Sequence, residues 1–418
     1  MNEQLLQHIW QFQYFNTASL CSTQNEPVQI LHPGTHNTQQ GPDFLNAKVK
    51  IGSTLWAGSI EVHLKTSDWQ KHRHDGDSNY TNVVLHVVFE HDTASDALPV
   101  VELKDRISFA MLGRYRMLME ARSFIACEKM IQEVPRITIE AMKQRVIAER
   151  LTRKATRIDQ YLEESRQHWE EAFWWLLAKN FGVKSNAEAF EALAKSIPLQ
   201  LLAKHKNQLH QLEALLLGQA GLLNVNFTDP YPVMLQKEYH FLQKKYHLQA
   251  IAQPVHFLRM RPGNFPTVRL AQLAALIHNS AHLLSKIIDE PVLSHVKDWF
   301  SVQANDFWHY HYKLTEASAF KQKKVGSFMI DNIIVNTVVP MLFAYGLAHQ
   351  NQKVKDRAMQ WLEEIKAENN TITKGFQLLG LKNRSAYDSQ ALLELKSQYC
   401  DEKKCLQCSI GTSLLKRS

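Results

Sequence analysis

Residues 41–65 read GPDFLNAKVKIGSTLWAGSIEVHLK, and this stretch decides the reading of the chain. Pro42 and Asp43 open one apparent strand, and Glu61 lies inside a second one eighteen residues later. Strand side chains alternate, so Glu61, His63 and Lys65 share one face while Ile60, Val62 and Leu64 share the other. The second face is apolar and suits burial, which leaves three ionisable groups in a row on the first. If the Asp43 strand pairs with the Glu61 strand, the two carboxylates become neighbours. Two carboxylates plus an imidazole or ammonium are the minimum for holding a hard divalent cation and activating a water.

Working outward, residues 3–16 carry apolar positions at helical spacing. Strand patterns then run over 28–32, 44–51, 55–65, 82–90 and 99–103, with turn signals at Pro33-Gly34, Gly52-Ser53 and residues 92–96. Ser67 or Asp68 is placed to cap a short helix through Trp69 and His72. Beyond Arg106 strand patterns become rare. Helical periodicity covers 137–167, 169–181, 187–195, 199–217, 232–246, 267–288, 326–345, 353–368 and 388–398. The expected architecture is an α/β domain over residues 1–110, an all-α domain over 111–399 and a Cys-rich segment over 400–418.

The order of helix, strand, Pro-Asp strand, Glu-x-basic strand, helix and strand resembles the PD-(D/E)xK nuclease-like fold, with its mixed, restriction-endonuclease-like sheet. What that resemblance implies is Mg²⁺ or Mn²⁺ on Asp43 and Glu61 and a basic side chain that orients the attacking water. The family's Lys position falls on His63 here, with Lys65 one same-face step further along. The expected activity is metal-dependent hydrolysis of nucleic-acid phosphodiesters. The whole chain also resembles a bacterial family defined as a domain of unknown function, through GPDF, GSIEVH, SDWQKHRH, VVLHVVFEHD, LRMRPGNFPTVRLAQLA and the Cys-rich end.

Composition narrows the field. The 418 residues are 45% hydrophobic and 21% charged, as in an ordinary globular chain of two or three domains. No run of about eighteen apolar residues appears, so no membrane span is expected. The first residues, MNEQLLQHIWQF, lack a basic n-region before an apolar h-region, so a cytoplasmic protein is expected. A net charge of +7 suits a polyanionic partner such as nucleic acid. Twenty histidines raise the expectation of metal chemistry. Walker A, GxGxxG, GxSxG and HExxH patterns do not occur, which disfavours nucleotide hydrolysis, dinucleotide oxidoreduction and triad hydrolysis.

Four further constellations carry chemistry. His72, His74 and Asp77 lie close in sequence, and with His32 and His36 they offer a zinc-enzyme alternative to the nuclease reading; a histidine-rich polar loop is the plain alternative. His86, between apolar neighbours in VVLHVVF, reads as a satisfied core histidine. Cys400, Cys405 and Cys408 fall within nine residues, a spacing that suits a soft metal better than a disulfide framework in a chain with five cysteines. Zinc or an iron–sulfur cluster wants a fourth ligand, from Cys127, Cys21 or a histidine. Some PD-(D/E)xK nucleases carry an iron–sulfur staple with one cysteine before the helical region and three at the end, and that similarity favours Cys127.

Arg150, Arg153, Lys154 and Arg157 form a basic stripe on one helix face, suited to phosphate contact or to solvation beside Glu149, Glu163 and Glu164. Arg259, Arg261 and Arg269 surround a loop-to-helix junction at which Thr267 is a plausible N-cap. They suit a phosphate pocket or a pinned loop. Asn332 and Asn336, one turn apart on an apolar helix, read as amides that stitch helices together. A non-catalytic nucleic-acid or protein-binding protein with a structural metal completes the alternatives.

Overall fold

A computed structural model describes residues 1–94 and 98–416, apart from the side chain of Asp75. The turn signal at 92–96 lies partly outside the described residues. Helix α1 (Glu3–Gln11) opens on Asn2, whose side chain accepts from the Leu5 N–H, and buries Leu5, Leu6, Ile9 and Trp10. The strands are β1 (Val28–His32), β2 (Thr35–His36), β3 (Phe44–Ile51), β4 (Thr54–Lys65), β5 (Val83–Glu90) and β6 (Val100–Glu102). They form one mixed sheet in the order β1-β3-β4-β5-β6, with β2 also on β3. β1, β2 and β4 pair antiparallel with β3, whereas β4–β5 and β5–β6 are parallel. This mixed sheet is compatible with the nuclease-like resemblance.

Two local devices set the register of β4. Phe44 pairs with Ile60 but Ala47 pairs with Gly58, so β3 carries a bulge, with Asn46 at φ 58. That bulge brings the Pro42-Asp43 entry of β3 beside Glu61. Gly58 is the second device. A Cβ there would lie 2.4 Å from Val84 Cγ1 and 2.5 Å from the Asn82 carbonyl, which accepts the Ser59 N–H. Only glycine permits β4 and β5 to approach this closely.

The polar face expected on β4 is not open to solvent. Glu61 and His63 are buried along with Ile60 and Val62, because the segment after the strand folds back over it. That segment holds α2 (Asp68–Lys71), which packs on β4, and two short 3-10 turns, His74–Gly76 and Ser78–Tyr80.

Contacts divide the chain into two compact units. The first holds residues 1–145, 374–381 and 392–418, and the second holds 146–373 and 382–391. Among the described residues the last strand ends at Glu102, so the loss of strand patterning marks the end of the sheet. The first unit continues further, with α3 (Phe109–Glu120), the start of α4 (Arg136–Glu164) and the C-terminal helix Ser409–Leu415.

The second unit is helical. Helices Trp169–Phe181 and Val183–Ser196 pack as a hairpin around Gly182. The periodicity of 199–217 predicts one helix, but two form, Leu199–His205 and Leu209–Gln219. Gln208 is extended between them, and the His205 ring lies 2.6 Å from Gln211 Oε1 and 3.0 Å from the Tyr246 hydroxyl. The 267–288 pattern likewise breaks, with Ser280 extended and His282 left-handed. Thr267 is not the N-cap: the helix Pro266–Asn279 starts one residue earlier, and the Thr267 hydroxyl donates to the Tyr312 carbonyl at 2.5 Å.

Helix Ser327–Ala348 is long and apolar enough to cross a membrane, and 67% of its apolar window is buried inside the protein, as in a core helix. It contains a π-turn, Ile334–Val338, just before Pro340. Proline denies the Asn336 carbonyl its usual helical donor, and the Asn180 amide supplies one at 3.3 Å.

Candidate metal centre

β4 delivers Glu61 and His63 two residues apart on one face, and the returning segment brings His72 and His74 onto them. Among the described residues, His63, His72 and His74 each offer a ring nitrogen within 4.8 Å of the other two. His63 Nε2 lies 3.1 Å from His72 Nδ1 and 3.4 Å from Glu61 Oε1, and His74 Nε2 lies 3.5 Å from the same carboxylate oxygen. His63 and His74 are buried, whereas His72 is exposed. Aromatic packing holds the arrangement: Tyr80 stacks on His74 at 3.8 Å, and Trp69 packs against both His74 and His86.

Each ring and carboxylate also has an outer partner. His63 Nδ1 faces His86 Nε2 at 2.9 Å, which leaves the His63 Nε2 side for the cluster. The buried His86 is the satisfied core histidine expected from its strand, and it bears directly on the site. Glu61 Oε2 accepts the Asp43 N–H at 3.0 Å, and Asp43 Oδ2 accepts the Val62 N–H at 3.1 Å. Gln7 of α1 donates to Asp43 Oδ1 at 2.8 Å. The sequence thus locates both carboxylates side by side, but both oxygens of Asp43 are occupied by the protein itself.

Burial pushes Glu61 up to about 8, with the adjacent Asp43 charge adding to it, and burial also raises Asp43. Burial, with the neighbouring imidazoles, pushes His63 down to about 3, and His86 falls to about 4 for the same reasons. These shifts set an expected pH profile for the metal-free protein. His63 and His86 stay neutral when folded but protonate near 6.5 when unfolded, so stability falls as pH drops from about 6.5 toward 4 and 3. Glu61 acts in the opposite sense: its contribution is whole below about 4.5 and is lost as pH rises to about 8. Melting temperatures of chelated protein should therefore peak near neutrality and decline toward pH 8. Glu61→Gln should remove the alkaline decline, and an unchanged decline would show that Glu61 is not its source.

Other predicted residues lie elsewhere. Lys65 is half-exposed, 4.0 Å from Glu90 and 3.9 Å from Asp92, so it does not join Glu61 and His63. His32 and His36 are exposed; the first accepts the Gly34 N–H through Nδ1 and the second packs on Phe44. Asp77 caps its own turn by accepting from Asn79. What sequence reasoning missed is the union of His63 with His72 and His74. The available signal was the shortness of the chain from His63 to His74, with Trp69 and Tyr80 as apolar cover over a strand face.

Arg150, Lys154, Arg157 and Arg269 are engaged within the second unit. Arg150 and Lys154 both donate to Asn336 Oδ1, at 2.9 and 3.3 Å, so Asn336 has the stitching role expected of it. Arg157 donates to Glu191 and Gln160 and lies over the Tyr161 ring, while Arg153 is exposed. Arg269 is buried, donates to Gln272 and Asn264, and is held down at about 10 by that burial. It pins the loop, whereas Arg259 and Arg261 are exposed. Cys127, Cys400, Cys405 and Cys408 line one small cavity in the first unit. Cys21 lies apart, in an isolated bridge with Pro27.

Comparison with known proteins gives no matching curated protein and no matching solved structure. A family described as "Protein of unknown function (DUF2851)" matches residues 3–371, and the chain belongs to that family.

Proposed function

We propose that this protein is a metal-dependent hydrolase whose sheet holds zinc, or a similar transition metal, on His63, His72 and His74, with Glu61 beside the position left for water. One observation carries the proposal. Bonds of about 2.0–2.1 Å to a tetrahedral zinc set its ligands about 3.3–3.4 Å apart. The three imidazoles lie within 4.8 Å of one another, the His63–His72 pair at 3.1 Å, and Glu61 Oε1 lies 3.4 and 3.5 Å from His63 and His74, beside the open position. Three imidazoles are poor donors for Mg²⁺ and good ones for zinc and its neighbours, which shifts the expected cofactor away from the Mg²⁺ of the nuclease reading. A dication also offsets the cost of burying Glu61 against Asp43.

Such a metal would acidify a water in its open fourth position at neutral pH, with Glu61 placed to accept a hydrogen bond from it. His86 fixes the His63 tautomer, and Asp43, anchored by Gln7 and the Val62 N–H, positions Glu61. The exposed His72 marks the side from which water and substrate approach. Phosphodiesters stay the first substrates to try, because the net charge is +7 and the sheet is compatible with a nuclease-like fold.

The test is hydrolysis of DNA, RNA, bis-p-nitrophenyl phosphate and p-nitrophenyl acetate by zinc- and manganese-loaded protein. Turnover should vanish in His74→Ala, while Asp43→Asn or His86→Ala should cost roughly 10–100-fold in activity or metal affinity. Metal retention without turnover on any of these would favour a structural metal in a binding protein. Turnover that persists in His74→Ala would move the reaction to another site.

A further inference from the structure

Five cysteines occur in the chain, and four of them line one cavity. Cys127 lies in the turn after α3, and Cys400 ends the π-turn Lys396–Cys400. Cys405 and Cys408 lead into the helix Ser409–Leu415. All four are free thiols, and they line one cavity together with Ala126, Tyr399, Lys404 and Gly411. Three of them are fully buried and Cys400 is half-buried. Burial alone is common for cysteine. The convergence of Cys127 with three thiols roughly 270 residues later in the sequence is not something burial requires.

The surroundings are arranged for negative sulfur. The backbone N–H groups of Ile410 and Gly411 are directed at the Cys408 sulfur. The Arg145 guanidinium lies near it, anchored on the Gln407 carbonyl at 3.0 Å. Lys396 and Lys403 add positive charge near Cys400 and Cys405. Gly411 is required for the fit, because a Cβ there would lie 2.2 Å from the Cys405 carbonyl oxygen.

We infer that Cys127, Cys400, Cys405 and Cys408 form a four-thiolate metal centre, separate from the histidine centre, that clasps the chain end to the segment following α3. Thiolates are soft ligands, so the occupant is zinc or an iron–sulfur cluster. Binding releases the thiol protons to solvent and leaves four metal–sulfur bonds, with no change in sulfur oxidation state. The role follows from the chain path: the first compact unit is built from separated segments, 1–145, 374–381 and 392–418, and the centre joins the first to the last.

The experiment uses the full chain purified anaerobically, with metal and acid-labile sulfide measured per chain and thiols counted by alkylation before and after chelation. Zinc without sulfide identifies a single ion; iron with sulfide and visible absorption identifies a cluster. Either should persist in His63→Ala and be lost from Cys405→Ser/Cys408→Ser. In wild type, four thiols should become reactive only after the metal is removed. The inference is overturned if the double serine variant keeps the full wild-type metal content. It is equally overturned if the four wild-type thiols alkylate at the same rate with and without chelator, a result that stands even where the serine variant fails to fold. The histidine centre is scored separately by the metal lost in His63→Ala.

Discussion

His63→Ala should strip the histidine centre of its metal, with affinity falling by more than about 100-fold, beyond the range for losing a mere outer partner. Its Nε2 lies 3.1 Å from His72 and 3.4 Å from Glu61, so removing the ring opens the cluster at its middle. The substitution also leaves His86 without its 2.9 Å partner and leaves Glu61 with only the His74 ring, at 3.5 Å, beside it. Metal-free protein should lose stability as well, by about 2–4 kcal/mol for a buried cavity with an orphaned imidazole. Competition against a chromogenic chelator measures the affinity, and thermal unfolding of chelated protein measures the stability. Wild-type affinity in this variant would exclude His63 as a ligand.

Gly58→Ala should be the most damaging single methyl group in the sheet. Its Cβ meets both the Val84 side chain and the Asn82 carbonyl, and the latter is backbone that cannot swing aside. Relief requires β4 and β5 to separate where Ser59 donates to Asn82, two residues from Glu61. The expected cost is about 3 kcal/mol, or a fall in melting temperature of roughly 6–12 °C for a unit of this size. Metal affinity should fall with it, because the same displacement moves Glu61 and His63. Gly263→Ala is the control, since a Cβ there meets nothing within 4 Å. Equal melting temperatures for the two variants would show that the close approach at Gly58 is not required.

The strands were legible because their signals are local. The patterns over 28–32 and 44–51 coincide with β1 and β3, and the paired carboxylates followed from the expected pairing of β3 with β4. The cover on β4 was not legible from alternation alone. A polar row reads as a solvated face unless the segment that follows is known to fold back over it. His72 and His74 therefore read as one loop and His63 as a strand residue, although they share one site.

The helical breaks at Gln208 and Ser280 have no local signal for a related reason. His205 is held by Tyr246, some forty residues away, and no local propensity reports such a bond. The basic stripe and Arg269 show the converse. Periodicity finds cations on one face, but only tertiary partners such as Asn336, Glu191 and Asn264 show which of them are already engaged. The return of residues 392–418 to the sheet-bearing unit is a long-range fact as well, and the Cys pattern was its one local trace.

Anomalous diffraction at the zinc edge, from crystals of protein grown with zinc and no chelator, tests the proposed centre most directly, because it separates the histidine site from the cysteine site in space. The expected result is a peak about 2.0–2.1 Å from ring nitrogens of His63, His72 and His74. A map with no peak among these residues, while zinc appears elsewhere in the same crystal, would contradict it.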